Sequence, residues 1–185
     1  QSLERNSACL SLFGEIGCLK RWAVDISSEL IDPDISFSAT PYITSADDIA
    51  FTKKELKKLV QLGIFEPRLA TVTSSLFLVR RTPTSKPRIV CDLRRLNNVT
   101  KQVNRPGTTI RSFCRTFGRK NYTYLSCLDI RSAYHSVRVV GKSLDLLGVV
   151  SYPGATALGY ARLPMGHRSS ASCFSQIIDF VLAEL

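Results

Sequence analysis

The chain has 185 residues, 44% of them hydrophobic, and a net charge of +10. That is one domain, or one domain plus an arm, with enough apolar residues for a core, which excludes a globally disordered chain. No apolar run approaches the roughly 20 residues of a membrane span, so no membrane partner is expected. The opening stretch QSLERNSACLSLFGEIG lacks the basic start and long apolar segment of a signal peptide, and the expectation is an intracellular protein, cytoplasmic or nuclear. Cys9, Cys18, Cys91, Cys114, Cys127 and Cys173 form no CxxC pair, and His135 and His167 are the only histidines. A zinc site is therefore not expected, and free thiols in a reducing compartment are.

Residues 1–40 read as an arm: Leu3, Leu10, Leu12, Ile16 and Leu19 could support a short helix that Gly14 and Gly17 weaken. The stretch 31–41, bounded by Pro33 and Pro41, reads as extended linker. A helix is expected over 52–62, with Thr52 and Glu55 as a capping box and Gly63 as its left-handed stop. Its apolar stripe is Leu56, Leu59, Val60 and Ile64, with Lys53, Lys54, Lys57 and Lys58 outside. Next comes a hairpin, strands Ser75–Arg80 and Arg88–Leu93 around a TPTSKP turn. Residues 98–120 look irregular and basic. Tyr122–Asp129 reads as a largely buried strand with Ser136–Val140 as its partner. Leu144–Ser151 and Ala157–Leu163 form a hairpin around Pro153-Gly154. A helix over 169–185 should bury Ala171, Phe174, Ile178, Val181, Leu182 and Leu185. Hairpins mixed with helices imply an α+β fold.

The charge is not spread evenly. Residues 80–120 hold twelve Lys and Arg against Asp92 alone, a local +11, while 1–79 carry −2 and 121–185 carry +1. Such concentration suits a polyanion, whose phosphates are neutralised with counterion release; a solvated basic face is the plainer alternative.

Three segments carry candidate chemistry. Asp129, at the end of an apolar strand in LDIRSAYH, is costly to bury unless something binds it. A divalent cation would, and a carboxylate capping the following turn reads equally well. Arg81 and Arg88 flank the basic hairpin and suit a forked phosphate clamp, unless the cations only solvate it and Asp92 pairs with Arg94 or Arg95. The stretch LPMGHRSSASCF runs a glycine turn at Met165–Gly166 into a helix of small residues, which allows close approach of a base pair, or is ordinary capping by Ser169.

In this order, KPRIVCDLRRLNNVTK resembles the fingers motif of reverse transcriptases, YLSCLDIRSAYHSVRV their motif A, and ARLPMGHRSSASCFSQIIDFVL their motif B. The segment TPYITSADDIAFTKKELKKLVQLGIFEPRLATVTSSLFLVRR is similar to the leading segment of gypsy-type retrotransposon polymerases, so the resemblance covers roughly 40–185. It implies a right-hand polymerase with fingers at 41–100 and 139–162, and palm at 101–138 and 163–185. It makes Asp129 the first metal-binding catalytic aspartate, with Mg2+ or Mn2+ as cofactor. Tyr134 becomes the steric gate under the incoming sugar, and Arg81, Arg88, Met165 and Gly166 become nucleotide-binding residues. Arg94, Arg95, Lys101, Arg115 and Arg119 are the expected nucleic-acid contacts. The implied partners are an RNA or DNA template-primer, dNTPs, and the rest of the polymerase, thumb and RNase H, or another chain over the last helix. Localisation in virus-like particles is also consistent.

There are departures. Met165 stands where Gln or Phe is usual, His167-Arg168 replaces a more apolar pair, and Ala171 takes a position often filled by Pro. The Tyr-x-Asp-Asp motif expected after motif B is not in these residues, and Asp47-Asp48 reads as helix capping instead. The 185 residues alone are therefore expected to be inactive. The alternative is a non-catalytic retroelement remnant that binds nucleic acid or protein.

Overall fold

The computed structural model describes residues 23–32, 34–101, 110–119, 122–124 and 129–183. Its centre is a five-stranded mixed sheet in the order β2-β7-β6-β3-β4. The strands are β2 (Phe65–Pro67), β3 (Thr73–Val79), β4 (Arg88–Cys91), β6 (Gly148–Val150) and β7 (Leu158–Tyr160). The expected hairpin is β3–β4, antiparallel with Leu76 opposite Cys91 and Val79 opposite Arg88. Ser85 closes its turn, its hydroxyl accepting from the amides of Arg81 and Thr82 at 2.9 Å. The second hairpin, β6–β7, turns at Gly154, whose φ of 76° suits glycine. Its start is not strand: Ser143–Leu146 is a short helix, α4. β6 joins β3 in parallel, Thr73 opposite Gly148. A Cβ on Gly148 would lie 2.9 Å from the Val72 carbonyl, so only glycine allows that approach.

The first long helix, α1, is Ala46–Gln61, beginning six residues before the expected start. Ser45 is its cap, the hydroxyl accepting from the Asp48 amide at 3.2 Å, and Asp47 and Asp48 sit in the first turn beside the positive helix end. Thr52 is a buried mid-helix residue rather than a cap, because nothing between Ser45 and Thr52 breaks a helix. The stop holds: Gly63 takes φ 65°.

Of the segment expected as extended linker, Phe37 and Ala39 are sewn onto Val72 and the start of β3, whereas Ile31, Asp32 and Asp34 lie in bends and a turn. Phe37 bridges Val72, and the Ala39 amide donates to Thr73 Oγ1 at 2.9 Å. Ile26, Leu30 and Phe37 join the core with Ile64, Val72, Leu76, Leu96, Val137, Leu147 and Leu163. With residues 125–128 of its expected partner outside the described residues, strand β5 (Arg138–Val139) pairs in parallel with β1 (Ala23–Val24). It also bridges Arg162. Tyr122, Thr123, Tyr124 and Asp129 lie outside any strand and are exposed, against expectation; residues 125–128 lie outside the described residues.

The basic stretch is less irregular than its composition suggests. It contains α2 (Arg94–Asn98) and α3 (Ile110–Gly118). The last helix, α5, is Ser170–Ala183. Its buried positions are Ser170, Cys173 and Ile177, with Phe174, Ile178 and Val181 half-buried. Ala171 is exposed, so the buried stripe is rotated from the expected one; the Leu182 side chain and Leu185 lie outside the described residues, as does the expected helix over residues 3–19.

Candidate nucleotide and nucleic-acid site

Two of the motif segments meet through one ring contact. After Asp129, Ser132 takes the left-handed conformation, φ 52°, and the chain enters a 3-10 turn at Ala133–Ser136. That turn points Tyr134 onto Phe174 of α5, the rings edge to face with centroids 5.6 Å apart. The pair couples the segment after Asp129 to the helix after Met165–Gly166, and it leaves Tyr134 half-buried. His135 beside it is held below the usual imidazole range by burial and then by Arg162.

The Met165–Gly166 turn is presented to solvent: Met165 is exposed and Gly166 has φ 93°. Its supports lie elsewhere in the chain. Asn97 Nδ2 donates to the Gly166 carbonyl at 2.9 Å, and the Arg168 amide donates to Asn97 Oδ1 at 2.8 Å. Arg168 Nη1 donates to the Thr100 carbonyl at 2.7 Å. Buried Glu29 accepts from the Ser169 hydroxyl at the head of α5. His167 is buried, and desolvation, with Arg168 adding, pushes its imidazole down to about 4.

The cations divide into tied and free ones. Arg94 forks onto Asp92, Nε to Oδ1 at 2.8 Å and Nη2 to Oδ2 at 2.6 Å, and Tyr42 also donates to Asp92 at 2.9 Å. The Arg94 hydrogen bonds, with that of Tyr42, hold the Asp92 carboxyl well below the usual range. The pairing alternative read from the sequence is thus the observed state of Arg94, although its side chain stays 83% exposed. Arg95 lies over the Phe37 ring at 4.1 Å, and Arg80 pairs with Asp48. The side chains of Arg81 and Arg88 are exposed at opposite ends of the β3–β4 turn. Lys101 is exposed while its amide donates to the Glu29 carbonyl at 2.6 Å. Arg111, Arg115 and Arg119 are exposed on and after α3, next to a stack of Phe113, Phe117 and Tyr122 with centroids 5.6 and 5.1 Å apart.

Asp129 is exposed, and among the described residues no three His, Cys, Asp or Glu side chains gather as a metal would need. Asn97, Glu29 and Tyr42 were not singled out from the sequence. Asn97 lies 69 residues from Gly166, and no spacing rule links them.

The described residues thus form a mixed α+β fold in which the segment after Asp129 meets the helix that follows the glycine turn, with a basic hairpin at the sheet edge. The sequence is 27% identical over 138 residues to the retrovirus-related Pol polyprotein of the Drosophila melanogaster transposon opus, covering 71% of this chain and 13% of that protein. It is 28% identical over 134 residues to that of transposon 412, covering 70% and 10%. No protein-family model matches the chain. Among solved structures, a prototype foamy virus protease–reverse transcriptase mutant shares the fold at TM-score 0.72 and 15% identity, over 98% of this chain and 24% of that one. The foamy viral protease–reverse transcriptase in complex with dsDNA gives TM-score 0.71 at 15% identity, over 98% and 37%. Its complex with RNA/DNA hybrid gives 0.65 at 13%, over 85% and 21%. Those identities establish fold, and the Pol relatives supply the sequence kinship. The chain is thus similar in sequence to retrovirus-related Pol polyproteins and in fold to protease–reverse transcriptases, and it spans a small fraction of the length of the relatives it matches.

Proposed function

We propose that this segment forms the fingers and the first half of the palm of a reverse transcriptase that carries out template-directed DNA synthesis as a longer protein. The observation that carries the reading is the Tyr134–Phe174 contact, which brings motif A onto the motif B helix in a fold shared with protease–reverse transcriptases. Arg81 and Arg88 are proposed to hold the triphosphate, and Met165–Gly166 to line the nucleotide. Tyr134, braced by Phe174, is proposed to exclude a 2′-hydroxyl by contact alone. Asp129 is proposed as one carboxylate of the set that Mg2+ or Mn2+ requires, the other members coming from elsewhere in the longer protein.

The nucleic-acid partner is supported by the exposed cations of 80–120 and by the fold's occurrence in complexes with dsDNA and RNA/DNA hybrid. The 185 residues alone are proposed not to polymerise, since they hold no Tyr-x-Asp-Asp. The localisation proposed is intracellular, in the cytoplasm, in virus-like particles or in the nucleus.

Primer extension tests the reading. In the longer polymerase, Asp129→Asn should lower turnover by at least about a hundredfold, since losing even a residue that supports a metal ligand costs about 10–100-fold. Template-primer affinity should stay unchanged. Tyr134→Ala should keep turnover and admit rNTPs. Normal kcat in Asp129→Asn would overturn the assignment of Asp129, and no extension by the unmutated longer protein would favour a non-catalytic binding remnant.

A further inference from the structure

We infer that Asn97 is a positioning residue for the nucleotide pocket, one side-chain amide that sets the shape of the Met165–Gly166 turn. This rests on the reading of that turn as the nucleotide-lining one. The Gly166 carbonyl can only accept and the Arg168 amide can only donate, so a residue serving both needs a donor and an acceptor at one side-chain end. Asn97 supplies them at 2.9 and 2.8 Å, and the two partners dictate which way its amide faces. The bonds span residues 166–168 like a strand partner, on a turn that otherwise faces solvent. Gly166, at φ 93°, has open space where a Cβ would stand. It is therefore glycine for its backbone angle, and packing does not hold it there.

Asn97 itself is fixed. Its amide donates to the Leu93 carbonyl at 2.8 Å within α2, and the neighbouring Leu96 is fully buried. Helix α2 follows directly on β4, the strand that bears Arg88. Asn97 thus ties the expected triphosphate-binding hairpin to the expected nucleotide-lining turn, two parts 69 residues apart in sequence that must hold one ligand together. Arg168 reinforces the tie from the side, through the Thr100 carbonyl.

Amide hydrogen exchange on the 185-residue chain, and steady-state kinetics on the longer polymerase, test this together. In Asn97→Ala the amide of residue 168 should lose protection while that of Val149 in the sheet keeps it. The KM for dNTP should rise on the order of tenfold, as expected for the loss of two hydrogen bonds, with kcat and template-primer affinity little changed. Asn97→Asp keeps the acceptor and loses the donor, so residue 168 should stay protected while KM still rises. Arg168→Ala keeps the Asn97 bonds and should change KM less than either. Unchanged KM in both Asn97 variants, even with a lower Tm, would make the residue merely structural and overturn the inference. If Asn97→Ala does not fold, Asn97→Asp decides, because it changes one atom. The unmutated longer protein run in parallel separates the failures: no primer extension by it sinks the polymerase reading, whereas normal extension with unchanged KM in the Asn97 variants sinks this inference alone.

Discussion

The sheet and the α3 region both carry a regular apolar pattern and behave as opposites. Leu76 and Val149 in the sheet, and Val72 and Leu147 just before its strands, are buried, and Leu96 of α2 belongs to the same core. On α3 no residue is buried: Ile110 is 84% exposed and Phe113 57%. Periodicity is present in both, since Ile110, Phe113, Cys114 and Phe117 recur on one side of α3 with Arg111 and Arg115 on the other. The difference is partnership. A hydrophobic stripe contributes stability only where another surface removes it from water, and periodicity says nothing about where that surface is.

Mutation gives the largest contrast. Leu96→Ala and Leu147→Ala should each lower unfolding free energy by about 2–5 kcal/mol, measured by denaturant melts, because each leaves a cavity in a close-packed core. Ile110→Ala and Phe113→Ala should stay within about 0.5 kcal/mol. Equal destabilisation in the two regions would erase the comparison.

Acid separates them next. His167, buried behind the glycine turn, titrates at about 4 against 6.5 for a free imidazole. A lowered folded value means that the unfolded chain binds the proton more readily. The stability is full above about pH 6.5 and is lost as pH falls toward 4, by up to about 3 kcal/mol. His167→Gln should reduce the slope in melts run from pH 7 to 4, leaving the part that His135 contributes with the same sign, and Asp92, lowered by Arg94, adds to it at more acid pH.

Salt sharpens the comparison from the α3 side. Replacing Arg111, Arg115 and Arg119 with Ala should lower the slope of log affinity for nucleic acid against log salt by about 0.7–0.9 for each phosphate that is no longer neutralised. Replacing Arg94 and Arg95 should lower it less, because Asp92 and the Phe37 ring already hold them. A larger effect from Arg94 would mean that nucleic acid displaces the Asp92 pair.

The smallest effect is chemical. Cys114 is exposed, whereas Cys91 and Cys173 are buried, and burial raises the Cys91 thiol to about 12. Iodoacetamide followed by peptide mapping should modify Cys114 first among these three, with the fold unchanged.

Much of the fold was legible in the chain. Both hairpins and the Gly63 stop follow from alternation and turn chemistry, and the charge clustered at 80–120 follows from counting. The motif order pointed to the same proteins that the comparisons return, retrovirus-related Pol polyproteins in sequence and protease–reverse transcriptases in fold. Misreadings came where two local signals competed. Thr52–Glu55 satisfied a capping rule, yet Ser45 with Asp48 satisfied it first and no breaker intervened, so α1 runs through. The YTYLSCLD stretch has strand composition, but Tyr122 and Tyr124 are exposed and unpaired by any strand.

What the sequence alone determined is therefore what depends on neighbours within a few residues: helix caps, hairpin turns, left-handed glycines, and the identity of Asp129, Tyr134 and Gly166 as candidates. Tertiary structure decided the rest. It paired β5 with β1, rotated the buried stripe of α5 away from Ala171, brought Tyr42 onto Asp92, and placed Asn97 across the Gly166 turn. Each of these joins groups whose energy depends on a distance in space. Bonds between residues 69 or 140 apart, such as Asn97–Gly166 and Glu29–Ser169, leave no period or spacing in the chain to be read.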